Sequence, residues 1–273
     1  LILLLKNIEM VYIIIVSHGH EDYIKKLLEN LNADDEHYKI IVRDNKDSLL
    51  LKQICQHYAG LDYISGGVYG FGHNNNIAVA YVKEKYRPAD DDYILFLNPD
   101  IIMKHDDLLT YIKYVESKRY AFSTLCLFRD EAKSLHDYSV RKFPVLSDFI
   151  VSFMLGINKT KIPKESIYSD TVVDWCAGSF MLVRFSDFVR VNGFDQGYFM
   201  YCEDIDLCLR LSLAGVRLHY VPAFHAIHYA HHDNRSFFSK AFRWHLKSTF
   251  RYLARKRILS NRNFDRISSV FHP

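Results

Sequence analysis

Two short acidic segments carry the residue types that enzyme chemistry requires. The first is Asn98-Pro99-Asp100, which follows the apolar run Tyr93-Ile94-Leu95-Phe96-Leu97. That run is typical of a strand buried on both faces, and Asp100 would emerge at its carboxyl end, where open α/β sheets place their ligands. A carboxylate at this edge can hold a divalent metal ion. A simple turn is the other interpretation of Asn-Pro-Asp.

The second segment is Glu203-Asp204-Ile205-Asp206, which follows an aromatic run and opens a predicted helix. In a helix, Glu203 and Asp206 lie one turn apart on one face, and Asp204 is rotated about 100° away. A carboxylate in this first turn can act as a general base, because the helix dipole favours its anionic form. The alternative is that these acids only cap the helix.

Strands and helices alternate through the first half of the chain. The apolar patterns predict strands over 11–16, 38–42, 61–64 and 93–97, and helices over 20–31, 49–58 and 75–86. This alternation predicts a parallel sheet with right-handed crossovers, a Rossmann-like α/β architecture. Residues 129–171 are less regular, and we interpret them as an insertion with a short helix over 146–155.

Polar residues cluster where the predicted strands end, at 17–20, at 43–48 and in the glycine-rich stretch 66–76. The glycine stretch lacks the third glycine of G-x-G-x-x-G, and no G-x-x-x-x-G-K-[ST] occurs, so the motifs of dinucleotide enzymes and P-loop NTPases are excluded. A glycine loop that opens a helix can present backbone amides to phosphate or sugar oxygens. A turn capped locally by asparagine is the other interpretation.

Length and composition indicate a globular chain. Its 273 residues, 49% of them hydrophobic, are enough for one large domain with or without an appendage. The five cysteines include no C-x-x-C pair, which argues against a disulfide framework or zinc ribbon and predicts a reducing compartment on the cytoplasmic side. Residues 1–9 are predicted to be an upstream extension with Met10 as the natural start.

Positive charge is concentrated near the C-terminus, where residues 235–266 contain ten Lys or Arg, one acid and several aromatic side chains. A helix of this composition suits an anionic membrane surface, where each basic residue contributes about 1 kcal/mol and aromatic rings lie at headgroup level. Alternatively, the aromatic residues pack on the main domain and the cations are solvated. Nucleic acid is not expected as a partner, because no nucleic-acid-binding motif accompanies the basic stripe.

The motifs also occur in a recognisable order. They are Val16-Ser17-His18, Asp44-Asn45, Gly70-Phe71-Gly72-His73-Asn74, Leu97-Asn98-Pro99-Asp100, Trp175-Cys176-Ala177-Gly178-Ser179, Gly193-Phe194-Asp195 and the block 199–210. Together they resemble the family-two GT-A glycosyltransferases, and the last block is similar to that of bacterial rhamnosyltransferases. The resemblance implies a GT-A fold over 10–234, with a nucleotide-binding sheet and an acceptor-side subregion, and a basic C-terminal helical segment over 235–273.

The resemblance implies a nucleotide-sugar site. Asp44 would contact the nucleotide base, with Ser17 and His18 in the same pocket. The further residues implied to bind the nucleotide sugar are Asn45, His73, Asn74, Asn98 and Asp100. Asp100 matches the metal-binding carboxylate of the family's D-x-D motif and His228 a histidine that completes the metal site, so a divalent cation, Mg²⁺ or Mn²⁺, is the implied cofactor. Asn98 departs from D-x-D and leaves the site one charge short.

The resemblance also implies how the reaction would be catalysed. Asp204 matches the family's general base, with Glu203 as the second candidate, and Trp175, Gly178 and Ser179 match an acceptor-binding segment. Core packing is the alternative role of Trp175. The histidines near His228, which are His225, His231 and His232, are expected mostly on loops or at the surface.

The implied activity is inverting transfer of L-rhamnose from dTDP-β-L-rhamnose to GlcNAc-diphospho-undecaprenol, forming an α-1,3 linkage in O-antigen and lipopolysaccharide biosynthesis. The expected location is the inner face of the cell membrane, bound peripherally to its anionic surface. Two alternatives remain. In the first, the chain would be another hexosyl or galactofuranosyl transferase of surface polysaccharide. In the second, it would be a catalytically silent module that binds nucleotide sugars.

Overall fold

The computed structural model describes residues 10–229 and 240–270, with side chains up to residue 259. Several residues named above lie outside this range. They are the predicted extension 1–9, His231, His232 and residues 235–239 of the basic segment, together with the side chains of its residues 260–266.

Parallel strands form the first half of the sheet, as the sequence predicts. They are β1 (Val11–Ser17), β2 (Tyr38–Asp44), β3 (Leu61–Ser65) and β4 (Tyr93–Leu97), in the order β3-β2-β1-β4. The helices that connect them are α1 (Glu21–Leu31), α2 (Leu49–Cys55) and α3 (Phe71–Tyr86). The alternation of strand and helix is therefore confirmed for this half of the chain.

Helix α3 begins earlier than the sequence predicts, at Phe71 rather than near Asn75. Asparagine is a weak helix former, so the run Asn74-Asn75-Asn76 gives little helical signal, and the sequence pattern places the helix start within it. Tertiary hydrogen bonds keep them helical: Asn74 Oδ1 accepts from Arg43 at 3.1 Å, and Asn76 Nδ2 donates to the carbonyl of Phe194 at 2.8 Å. His73 and Asn74 consequently lie in the first turn of α3.

The second half of the chain makes the sheet mixed. Its elements are β5 (Ile101–Ile102), α4 (His105–Lys118), β6 (Phe122–Phe128), β7 (Val140–Arg141), α5 (Leu146–Leu155), β8 (Thr171–Val173), β9 (Trp175–Cys176), β10 (Phe180–Arg184), α6 (Phe185–Arg190), α7 (Glu203–Leu213), β11 (Leu218–His228) and α8 (Lys240–Val270). Strand β10 runs antiparallel to β4 and β6, and β11 runs parallel to β6. Since Phe180 pairs with Leu97, the chain enters β10 beside the carboxyl end of β4.

Both faces of the sheet are covered, which explains the continuous apolar strands. In β1, Val11, Ile13 and Ile15 pack into one core cluster, and Tyr12 and Ile14 pack into the other. This division follows from the two-residue period of a strand. Helix α1 covers the first face with Ile24, Leu27, Leu28 and Leu31, spaced as one helical stripe.

Helix α8 packs on the main domain. Tyr252 is completely buried and its ring lies 6.1 Å from that of Phe149 in α5. Arg251 and Arg255 both form ion pairs with Asp195, at 2.8 and 3.1 Å. The packing interpretation therefore holds for Tyr252, whereas the cations Arg251 and Arg255 are ion-paired rather than only solvated. Among the described helices, none is long and apolar enough to cross a bilayer.

Candidate active site

The carboxyl end of β4 brings three predicted residues together. Asp100 Oδ1 lies 3.4 Å from His228 Nε2, and Asn98 Nδ2 lies 3.5 Å from the same nitrogen. His228 reaches this point because it ends β11, which pairs antiparallel with β5 directly after Asp100. The predicted convergence of Asp100 and His228 is thus present, although the two residues are far apart in sequence.

Asp137 completes this cluster and was missed by sequence reasoning. Its Oδ2 lies 2.6 Å from His228 Nδ1, and both side chains are largely buried. Burial opposes the charged imidazolium, but the hydrogen bonds to Asp100 and Asp137 prevail and raise the pKa of His228 to about 9. No motif surrounds Asp137, which comes from the irregular stretch after β6, so only the fold reveals its partner.

The donor set fits a divalent cation. Ligand atoms about 2.1 Å from an ion and at right angles around it lie about 3 Å apart, close to the separation of Asp100 Oδ1 and His228 Nε2. A histidine ligand typically donates its other ring nitrogen to a carboxylate, as His228 does to Asp137. Within residues 10–229 and 240–259 no three acidic, histidine or cysteine side chains form a ready cation cage. Two protein ligands with diphosphate oxygens and water are a usual set for such ions.

The residues assigned to the nucleotide are mostly engaged within the chain. Asp44 is fully buried, and its carboxylate accepts hydrogen bonds from the amides of Lys46 and Ser48 and from the hydroxyl of Tyr63, at 2.6 to 2.9 Å. Ser17 is also buried, whereas His18 is exposed next to Asn45. Asp44 therefore orders the loop after β2, and its contact with a base stays a prediction.

Arg43 holds the glycine-rich loop and was not singled out from the sequence. It is buried, donates to Asn74 Oδ1 at 3.1 Å and to the carbonyl of Asp44 at 3.0 Å, and also donates to the carbonyl of Gly66. Burial lowers the pKa of its guanidinium. His73 stacks on Tyr69, with ring centroids 4.2 Å apart, at the edge of the same loop.

Gly70 and Gly72 are required for packing. A Cβ on Gly70 would lie 1.9 Å from the carbonyl oxygen of Phe199, and one on Gly72 would lie 2.8 Å from Phe194. The Phe71 amide also donates to the Phe199 carbonyl at 3.2 Å. The loop is thereby fixed against the segment that leads into α7, which carries the two candidate bases.

Asp204 and Glu203 occupy different environments at the start of α7. Tyr201 and Cys202 precede them with φ of 69° and 64°, a left-handed conformation that non-glycine residues rarely adopt and that is often found at functional sites. Asp204 is half-buried and lines a cavity of about 150 Å³. Glu203 points inward, is 5% exposed, and its Oε2 has no hydrogen-bond partner among the described residues.

Burial raises the pKa of both acids. For Glu203 the negative charge of Asp204 adds to burial, whereas hydrogen bonds from the amides of Ile205 and Gly178 partly oppose it for Asp204. The neutral form is thus favoured more at Glu203, and only Asp204 faces the cavity. Of the two candidates, the geometry favours Asp204 as a base.

The cavity beside Asp204 is the candidate acceptor pocket. Trp175 lines it but is only 6% exposed, and its Nε1 donates to the Lys142 carbonyl at 2.9 Å. Arg141 lies over the Trp175 ring, 5.4 Å from its centroid. Trp175 therefore belongs to the core and also forms a wall of the pocket. Arg141 and His245, which line the same pocket, were not identified from the sequence.

Gly178 and Ser179 join the two halves of the site. The Gly178 amide donates to Asp204 Oδ2 at 3.3 Å, and the Ser179 carbonyl accepts from the Asn98 amide at 2.9 Å. A Cβ on Gly178 would lie 2.8 Å from the Phe71 ring, so a larger residue would disturb this link. Ser179 Oγ is buried and has no partner within the described part of the chain.

Comparison with known proteins identifies the family of the chain. The sequence model of glycosyl transferase family 2 matches residues 12–191, and that of the N-terminal domain of galactosyltransferase matches 167–233. An N-acetylglucosaminyl-diphospho-decaprenol L-rhamnosyltransferase of Mycobacterium tuberculosis is 28% identical over 256 residues, covering 89% of this chain and 83% of that one. A low-salt glycan biosynthesis hexosyltransferase of Haloferax volcanii is 26% identical, covering 93% and 78%.

A solved structure shows the same fold. The crystal structure of GalNAc-T7 with UDP, GalNAc and Mn²⁺ superimposes with a TM-score of 0.63 at 12% identity, covering 91% of this chain and 48% of that one. The chain thus spans about half the length of that transferase. The expected GT-A fold is confirmed by this likeness, and the match of the family model over most of the chain shows that the protein belongs to glycosyl transferase family 2.

Proposed function

We propose that the protein is an inverting rhamnosyltransferase that moves L-rhamnose from dTDP-β-L-rhamnose to a GlcNAc-diphospho-polyprenol. One observation carries the catalytic part of this proposal. Asp204 lines the candidate acceptor pocket and is linked through Gly178 and Ser179 to the end of β4, where Asp100 lies beside His228. A base and a diphosphate site are thereby held at fixed positions on either side of one short segment.

The chain's own residues account for the proton transfer. Asp204 accepts the proton of the acceptor hydroxyl while the oxygen of that hydroxyl forms a bond to the anomeric carbon of the donor. The bond from that carbon to the diphosphate breaks, and its electron pair leaves with the diphosphate. Burial, which raises the pKa of Asp204, makes the carboxylate a stronger base than an exposed one. The Gly178 amide fixes the orientation of Oδ2.

Asp100 and His228 would hold a divalent cation, Mg²⁺ or Mn²⁺, which neutralises charge on the leaving diphosphate. Asp137 fixes the ring orientation of His228 through the hydrogen bond to Nδ1. Asn98 contributes a neutral amide beside this pair in place of a second carboxylate.

The donor and acceptor are proposed from the relatives. The name of the Mycobacterium tuberculosis relative specifies L-rhamnose and a GlcNAc-diphospho-polyprenol. An undecaprenyl carrier, an α-1,3 linkage, a role in O-antigen biosynthesis and a position at the inner face of the membrane belong to the same proposal. The Haloferax volcanii relative, a hexosyltransferase, supports transfer of another hexose as the second candidate.

A donor screen tests the proposal. The purified protein is incubated with a synthetic GlcNAc-diphospho-lipid and each of several nucleotide sugars, with and without EDTA, and products are identified by mass. We expect a rhamnosylated product from dTDP-β-L-rhamnose that EDTA abolishes. Transfer of a different sugar would favour the second candidate, and no transfer from any donor would favour a silent binding module.

A further inference from the structure

An apolar groove lies next to the acceptor pocket. It has a volume of about 430 Å³ and runs between α5, the first turns of α8 and Tyr201. Its walls are mainly apolar, and the side chains that form them include Phe153, Met154, Tyr201 and Phe242. The Phe153 and Phe242 rings meet edge to face, with centroids 5.6 Å apart, so the floor of the groove is packed.

The groove is continuous with the acceptor pocket. Ser152, Tyr201 and His245 line both cavities, so they stand where one opens into the other. The acceptor pocket is lined by Asp148, Asp204 and the cationic Arg141, whereas the described side chains that line the groove include no acidic or basic group except His245. The lining therefore changes from polar and charged in the acceptor pocket to apolar in the adjoining groove.

The outer end of the groove meets an exposed apolar surface. Met154, which lines the groove, is 76% exposed, and Leu146 and Ile150 precede it at intervals of four on the same face of α5. Monomeric soluble proteins seldom leave such contiguous apolar surface without a partner. A chain that leaves the groove here stays on apolar surface.

We infer that this groove binds the first isoprene units of the acceptor's polyprenyl chain, an inference that rests on the proposed function. The order of the groups matches the order within such an acceptor. The sugar hydroxyl meets Asp204, the diphosphate meets the guanidinium of Arg141, and the hydrocarbon follows into the groove. The groove thus selects lipid-linked sugars over free ones.

The test compares two synthetic acceptors, GlcNAc-diphosphate esterified with farnesol or with a methyl group, both below micellar concentration. We expect the farnesyl acceptor to have the higher kcat/KM. Met154→Glu is expected to lower the ratio of the two kcat/KM values about tenfold, because it places a charge where hydrocarbon is bound. Binding of farnesyl diphosphate, measured by calorimetry without donor, should weaken in parallel.

Leu155→Glu is the matched control. Leu155 is the next residue of α5 and is 66% exposed, but it does not line the groove, so its variant should keep the wild-type ratio. Equal kcat/KM for both acceptors in the wild type would overturn the inference while leaving the proposed function intact. Equal losses from both variants would also overturn it and favour a membrane-facing role of α5. No transfer to either acceptor, with farnesyl diphosphate binding that depends on Met154, would refute the proposed function and retain the groove as a site for prenyl diphosphates.

Discussion

The amide of Gly178 donates a hydrogen bond to Asp204 Oδ2 at 3.3 Å, and this contact ties the candidate base to the strand end that carries the candidate metal ligands. The next residue, Ser179, accepts from the Asn98 amide at 2.9 Å. Since consecutive residues make both contacts, a segment of two residues links the base to the diphosphate site.

Asp204→Asn should lower kcat by a factor of about 10² to 10⁴, the usual contribution of a general base. The amide keeps the shape of the carboxylate but cannot accept the hydroxyl proton. Donor binding, measured by calorimetry with the nucleotide sugar and Mn²⁺, should remain close to that of the wild type. A variant with wild-type kcat would show that Asp204 is not the base.

Glu203→Gln should flatten the dependence of stability on pH. Because burial and the Asp204 charge raise the pKa of Glu203 in the folded state, the folded protein binds a proton more tightly than the unfolded chain. The free energy of unfolding then falls as the pH rises above the ordinary carboxyl range. Urea unfolding at pH 5 and pH 8 should show this fall in the wild type and a smaller one in the variant. Equal slopes would contradict the buried, protonated carboxyl.

Gly178→Ala should reduce kcat by roughly tenfold to a hundredfold, because the added Cβ meets the Phe71 ring at 2.8 Å and displaces the amide from Asp204. The far-ultraviolet circular dichroism should be unchanged. A Gly178→Ala enzyme with normal kcat would show that the link does not position the base.

Asp137→Asn should weaken the apparent affinity for Mn²⁺ by about 10- to 100-fold, the usual effect of removing the carboxylate behind a histidine ligand. Titration of activity with Mn²⁺ and paramagnetic resonance of bound Mn²⁺ measure this independently. Asp107→Asn, at an exposed position on α4, is the control. If the Asp137 variant binds Mn²⁺ as tightly as the control, the proposed role of Asp137 behind His228 is wrong.

Arg255→Ala should destabilise the fold by about 1 to 3 kcal/mol, since it removes a hydrogen bond of 2.8 Å to the fully buried carboxylate of Asp206. Asp206 keeps Arg210 as a partner at 2.7 Å, which limits the loss. Urea unfolding measures the change. Arg257→Ala, at an exposed position of the same helix, should change stability by less than about 0.5 kcal/mol.

Binding of α8 to an anionic membrane is tested by changing cations that are exposed on this helix. Arg251 and Arg255 are unsuitable because they anchor α8 to Asp195, whereas Arg243, Lys247 and Arg257 are exposed. Reversing these three charges should weaken binding to anionic vesicles at low salt without lowering stability. Unchanged vesicle binding would indicate that the exposed cations Arg243, Lys247 and Arg257 are only solvated.

Local patterns predicted the strands of the first half well, because their apolar residues are buried on both faces and leave a continuous signal. The start of α3 was placed too late, since Asn74 is a weak helix former whose position in the first turn is stabilised by its contact with Arg43. The mixed second half of the sheet has no comparable signal. Its strands β5 and β8 have only two and three residues, and β10 pairs with β4 only after a long excursion of the chain.

The sequence by itself determined the residue types of the site, because Asp100 and Asp204 each follow an apolar or aromatic run that places them at the end of an element. Only the tertiary structure decided which acid faces the pocket, since Glu203 and Asp204 are adjacent in sequence and differ only in the direction of their side chains. It also decided that His228 meets Asp100 and Asp137. Such contacts between distant residues depend on the pairing of β11 with β5 and β6, which no local pattern specifies.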